Sequence, residues 1–85
     1  MWLGIEVSKD TQEVALLNEA GQLQSGTFAN TPEGYAQLAR WLSKRKATGS
    51  AVCLEATGHY SEGVAEALYA AGYRVSVVNP ARIRG

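Results

Sequence analysis

Few residue types that carry unambiguous chemistry are plentiful in this sequence. A single cysteine, Cys53, excludes an internal disulfide. The one histidine, His59, has no ligand-spaced partner, so a zinc site has no support. No apolar run approaches the length of a membrane span. A basic segment followed by an apolar stretch, the mark of a secretion signal, is also missing at the N-terminus, and the expected location is cytoplasmic. Excess charge is lacking too. Eight basic residues balance eight acidic ones, which argues against a surface given over wholly to polyanion binding but leaves local contacts open. There are no repeats, low-complexity tracts or interior linkers. What remains, over residues 1–85, is one small domain with a modest core, as expected for a piece of a larger assembly.

The pattern within those 85 residues is strand, strand, strand, helix, strand, helix, strand. Residues 2–8, where Leu3, Ile5 and Val7 alternate with Gly4, Glu6 and Ser8, 13–18 and 23–29 are candidate strands. The short polar stretches "SKDTQ" and "EAGQ" separate them, which predicts an antiparallel meander. Thr31 then Pro32 reads as a helix start, a hydroxyl cap followed by a residue whose missing N–H is no loss there. Tyr35, Leu38, Trp41 and Leu42 recur at helical spacing and are expected to face the sheet, with Lys44, Arg45 and Lys46 at the helix's negative end. "AVCLE" follows as a short strand with Cys53 as a small core residue, and Trp2 and Trp41 as core or interface aromatics. A second helix is predicted from about His59 to Ala71, with Tyr60, Val64, Ala67, Leu68 and Ala71 inward and Gly72 as its stop. "RVSVVN" closes the chain as a last strand ending at Pro80. A crossover helix makes the last two strands parallel.

The expected fold is therefore α/β, a mixed five-stranded sheet of the ribonuclease-H-like kind, an antiparallel meander followed by parallel strands with helices. Actin-like and sugar-kinase domains share the outline, so topology alone does not decide function.

Two carboxylates stand out. Glu6 interrupts the first strand and Glu55 ends the fourth, and in this fold those strands are parallel neighbours. Alternation puts Gly4, Glu6 and Ser8 on one face, and Ala51, Cys53 and Glu55 on one face. If the faces coincide, both carboxylates converge near the carboxyl ends of the strands, where open α/β sheets bind ligands. Like charges there repel unless a cation neutralises them, and Mg2+, for which Mn2+ substitutes, is the economical choice. The plainer alternatives are an exposed edge-strand position for Glu6 and a solvated loop for Glu55. Lys9 and Asp10 read as natural turn residues, and Lys9 is also a candidate phosphate contact.

"GIEVSKDT", "FANTPEGYAQLARWL", "VCLEATGHY" and "AEALYAAGYRVSVVNPARIRG", in that order and spacing, resemble the N-terminal domain of the DEDD-type insertion-sequence transposases, a family that includes the pilin-gene inversion recombinases. The resemblance covers nearly the whole chain. It implies a RuvC-like fold and a magnesium-dependent DNA recombinase whose metal site is built from four acids in the order Asp-Glu-Asp-Asp. Glu55 matches the second acid, in the "LEATG" block, and Glu6 occupies the first position, where the family pattern "GIDVSK" has aspartate. The last two aspartates and the serine nucleophile of some relatives fall outside this sequence. The chain is accordingly expected to be the front portion of a longer transposase that does not cut or join DNA by itself. Ser8, Lys9 and Thr57 are candidates for nucleic-acid contact or for shaping the site. The implied partners are DNA, a guide RNA, the remainder of the transposase and a second copy of the chain.

Three functions compete. One is a catalytic-domain fragment that contributes two carboxylates to a Mg2+-dependent site for DNA cleavage and strand transfer. Another is a non-catalytic scaffold for dimerisation or nucleic-acid docking. The third is an ATP-binding domain, disfavoured because "SKDTQ" lacks the glycine-rich phosphate turn that such domains place after the first strand.

Overall fold

A computed structural model describes residues 1–56 and 60–78. In it, β1 (Trp2–Val7), β2 (Thr11–Leu17) and β3 (Leu23–Ala29) lead into α1 (Pro32–Lys44). The chain continues through β4 (Ala51–Ala56), α2 (Glu62–Ala70) and β5 (Arg74–Val78). The strands form one sheet in the order β3-β2-β1-β4-β5. Strands β1 and β2, and β2 and β3, pair antiparallel, while β4 pairs parallel with both β1 and β5. The expected mixed architecture is therefore present, with β1 at its centre.

Alternation builds the core. Leu3, Ile5 and Val7 of β1, Val14 and Leu16 of β2, and Val52 and Leu54 of β4 all lie on one face and are buried. Leu38 and Leu42 of α1 and Val64 and Leu68 of α2 close over that face in the same cluster. Both described helices therefore cover one side of the sheet, and none is long and apolar enough to cross a membrane.

The helix ends are set locally. The Thr31 hydroxyl accepts the Gly34 N–H at 3.1 Å, and Pro32 occupies the first turn. Gly34 has a further reason. A Cβ there would overlap the Ala29 carbonyl, so only glycine lets α1 start against the end of β3. At the far end of α1, Trp41 meets Phe28 edge-on, with ring centroids 5.8 Å apart. The Arg45 guanidinium sits 4.0 Å over the same indole. Both helices stop in the same way. The N–H of Ala47 reaches the Leu42 carbonyl after α1, and that of Tyr73 reaches the Leu68 carbonyl after α2. The left-handed residue this requires is Gly72 (φ +92°) in one case and Lys46 (φ +55°) in the other.

Several boundaries differ from expectation. Strand β1 stops at Val7, because the Ser8 N–H turns to the Thr11 carbonyl at 2.9 Å, and β2 begins two residues early, at Thr11. Helix α2 begins at Glu62 rather than near His59. Tyr60 precedes it, exposed, with its carbonyl taken by the Asn30 side chain, and Ala71 is an exposed cap rather than an inward residue. Arg45 and Lys46 lie just past α1, not in its last turn. Trp2 is 55% exposed on the open face of the sheet and so lies outside the core. His59 and Pro80 lie outside the described residues.

Candidate functional site

The face that the helices leave open carries the site. Register places Glu6 opposite Glu13 on β2 and opposite Glu55 on β4. Three carboxylates thus stand in a row across three strands, with neighbouring strands about 4.8 Å apart. All three are exposed, and none takes an ion pair or hydrogen bond among the described residues. Like charges directly opposite one another are unfavourable in a sheet, so the row is not explained by stability.

The rest of the face has a simple layout. Next to the acidic row runs a row of small residues, Ser25, Ala15, Gly4 and Cys53, and beyond it the apolar Leu23, Leu17, Trp2 and Ala51. The small row is the floor of an open trough of about 410 Å3, walled by Trp2 on one side and by Glu6, Glu13 and Glu55 on the other. Cys53 is therefore half-buried on this open face, not in the core. Its strand alternates, and the buried face goes to Val52 and Leu54.

Glu6 and Glu55 are brought together, one residue from the ends of their strands, on the exposed face of a central strand pair and not on an edge. Ser8 is occupied by the β1–β2 turn, its hydroxyl 3.1 Å from the Thr11 carbonyl and 3.0 Å from the Thr11 hydroxyl. Lys9 is exposed in the same turn. Thr57 lies outside the described residues. Glu13 was missed by sequence reasoning. The signal was available, since a hairpin closed tightly at Ser8 and Thr11 puts residue 13 opposite residue 6.

The donor set suits a hard divalent cation in kind, being carboxylate oxygen facing solvent. It does not suffice in number. Among the described residues no three His, Cys, Asp or Glu side chains gather closely enough to hold a metal ion. Glu6 and Glu55 form a pair that can contribute to such a site, not a closed cage.

Comparison with known proteins gives a consistent picture. The sequence model of a transposase family, the IS110 type of DEDD transposases, matches residues 3–85. The pilin gene-inverting proteins of Moraxella lacunata and Moraxella bovis are each 31% identical over 81 residues, which is 93% of this chain and 25% of theirs. The chain thus spans about a quarter of the length of these curated relatives. Among solved structures, Thermus thermophilus RuvC superposes with a TM-score of 0.58 at 16% identity, over 98% of this chain and 66% of that one. That likeness establishes a ribonuclease-H-like, RuvC-type fold.

Proposed function

This chain belongs to the IS110-type DEDD transposase family, and we propose that it supplies the first two carboxylates, Glu6 and Glu55, of a divalent-metal site for cutting and rejoining DNA. The observation that carries this reading is the Glu6–Glu55 register on the open face, at the carboxyl ends of two parallel strands. The relatives are named for inverting a pilin gene, an outcome that needs DNA strands broken and rejoined.

In this reading Glu6 and Glu55 hold the cation by carboxylate oxygens, and further donors come from elsewhere in the transposase. A divalent cation such as Mg2+, if held by Glu6 and Glu55, would supply the charge stabilisation that phosphoryl transfer needs. The chain's own work is placement. The ladder between β1 and β4 fixes the two backbones, and the exposed face admits a bulky nucleic-acid substrate. Glu6 has one methylene more than the aspartate of the resembling pattern "GIDVSK", so it reaches farther and is held less rigidly. Catalytic placement tolerates about 0.5 Å, so cleavage suffers from this more than ion binding does.

A Mn2+ titration read by paramagnetic broadening of backbone amides tests the reading. Broadening centred on Glu6 and Glu55 is expected at about millimolar ion, the affinity of an open, carboxylate-poor site. No localised broadening would overturn it. That outcome favours a non-catalytic scaffold, a reading supported by the exposed apolar row of Trp2, Leu17 and Leu23.

A further inference from the structure

The side chain of Asn30 touches more of the chain than any feature of the carboxylate row accounts for. It sits between the end of β3 and the cap of α1. Its backbone N–H donates to the Asp10 carbonyl at 2.9 Å. Its Nδ2 donates to the carbonyls of Ser8 at 3.1 Å, Lys9 at 3.4 Å and Tyr60 at 2.9 Å. Its Oδ1 accepts the Tyr35 hydroxyl at 2.9 Å. An amide nitrogen has two hydrogens, so one is shared by Ser8 and Lys9 and the other goes to Tyr60. The orientation of the amide is fixed by chemistry, because three carbonyls can only be met by its nitrogen.

The segments it joins are the two that leave the site. Ser8 and Lys9 follow Glu6 out of β1, and Tyr60 stands ahead of α2, five residues on from Glu55 in the sequence. The ladder between β1 and β4 ends at Val7 and Ala56, one residue beyond the carboxylates. Strand ends open most readily, so the carboxylates sit where the ladder itself holds least. Past that point Asn30 ties the turn after β1 to Tyr60, just ahead of α2. It is braced in turn by Tyr35, whose hydroxyl reaches it only because residue 63 is glycine. A Cβ there would overlap that hydroxyl.

We infer that Asn30 is a positioning residue for the site, one amide that couples the exits of β1 and β4 and so fixes Glu6 relative to Glu55. This rests on the metal-site reading above. No other side chain serves as well. Aspartate has the size but no N–H, serine has one donor, and glutamine is a methylene too long.

The test uses Asn30→Ala, Asn30→Asp and Tyr35→Phe in this chain, with amide spectra recorded first without ion and then through a Mn2+ titration. Without ion, Asn30→Ala is expected to shift the amides of Ser8–Asp10 and of Tyr60–Ser61 together, and those of Glu6 and Glu55 with them. The β2–β3 ladder should keep its spectrum. With ion, the concentration for half-maximal broadening at Glu6 and Glu55 is expected to rise about tenfold, as when a supporting group behind a metal ligand is lost. Asn30→Asp separates positioning from charge. An added carboxylate acting only by charge would tighten binding, whereas a lost tie weakens it. Tyr35→Phe, which removes only the brace, should move the same amides less and decides the matter if the Asn30 variants do not fold.

Unchanged Mn2+ affinity in the Asn30 variants, or movement of one exit without the other, overturns the inference. Absence of localised broadening in the unaltered chain is a different failure, that of the metal-site reading. The ion-free spectra then decide the inference alone, upheld by joint movement of the Glu6 and Glu55 amides and overturned without it.

Discussion

Glu6 and Glu55 are direct register partners on adjacent parallel strands, both on the face of the sheet that the helices leave open. Glu13 stands on the other side of Glu6. A sheet selected for stability alone would not line three like charges across its middle strands. The arrangement makes sense as a place where positive charge is brought in from outside, and that yields measurable consequences for folding and binding separately.

Removing one charge from the row should therefore stabilise the ion-free chain. Glu6→Gln is expected to raise unfolding free energy by about 0.2–1 kcal/mol through relief of cross-strand repulsion. Added salt should shrink that difference by screening it. The same variant should weaken Mn2+ binding by at least the roughly tenfold that a lost supporting group costs. Thermal unfolding with and without Mn2+ reads both effects. A loss of stability with no change in ion binding would make Glu6 a structural residue and remove it from the site.

Gly34 and Gly4 make a contrasting pair. A Cβ at Gly34 would run into the backbone of Ala29, which cannot yield without moving α1 off the end of β3. Gly34→Ala should cost about 3 kcal/mol, the upper part of the range for overpacking. A Cβ at Gly4 meets nothing within 4 Å. Gly4→Ala, in the middle of a strand, should be neutral or stabilising by up to about 1 kcal/mol. Denaturant unfolding of the two variants side by side distinguishes a glycine needed for fit from one that leaves the trough open.

Lys46 occupies the left-handed position that ends α1, where Gly72 does the same work after α2. That conformation crowds the Cβ of an L-residue by about 1–2 kcal/mol, partly offset by the greater chain entropy of unfolded glycine. Lys46→Gly is expected to stabilise by about 0.5 kcal/mol on balance. A midpoint shift in urea at unchanged slope would establish it, and a fall in the midpoint would show that the lysine side chain contributes more than its backbone strain.

The elements that alternate cleanly were legible. Leu3, Ile5 and Val7 fixed which way β1 faces, and with it the exposed position of Glu6. The Thr31–Pro32 start of α1 could be read because capping is local chemistry. What escaped depended on partners distant in sequence. Gln12 looks like a turn residue, yet it is fully buried beside Val7 and Phe28, its amide donating to the Ala29 carbonyl. Tyr60 fits the helical period of α2, but the Asn30 amide claims its carbonyl and the helix starts later. Cys53 was assigned to the core on residue type, and strand parity places it outside. The pairing of Glu6 with Glu55 followed once β1 and β4 were neighbours, whereas Glu13 needed the exact closure of the hairpin.

Cys53 offers a gauge of the open face. It lies between Gly4 and Ser76 in register, on the floor of the trough, with no Cβ on the β1 side to shield it. If the face is bare in solution, the thiol should react with a small disulfide reagent within about tenfold of its rate in denaturant, as expected of a thiol that the reagent can reach. Protection well beyond that, rising with protein concentration, would mean that a second copy covers the trough and the row of Trp2, Leu17 and Leu23. Protection independent of concentration would instead mean that the sheet face closes within one chain, and the site would then have to be approached from the carboxylate row alone.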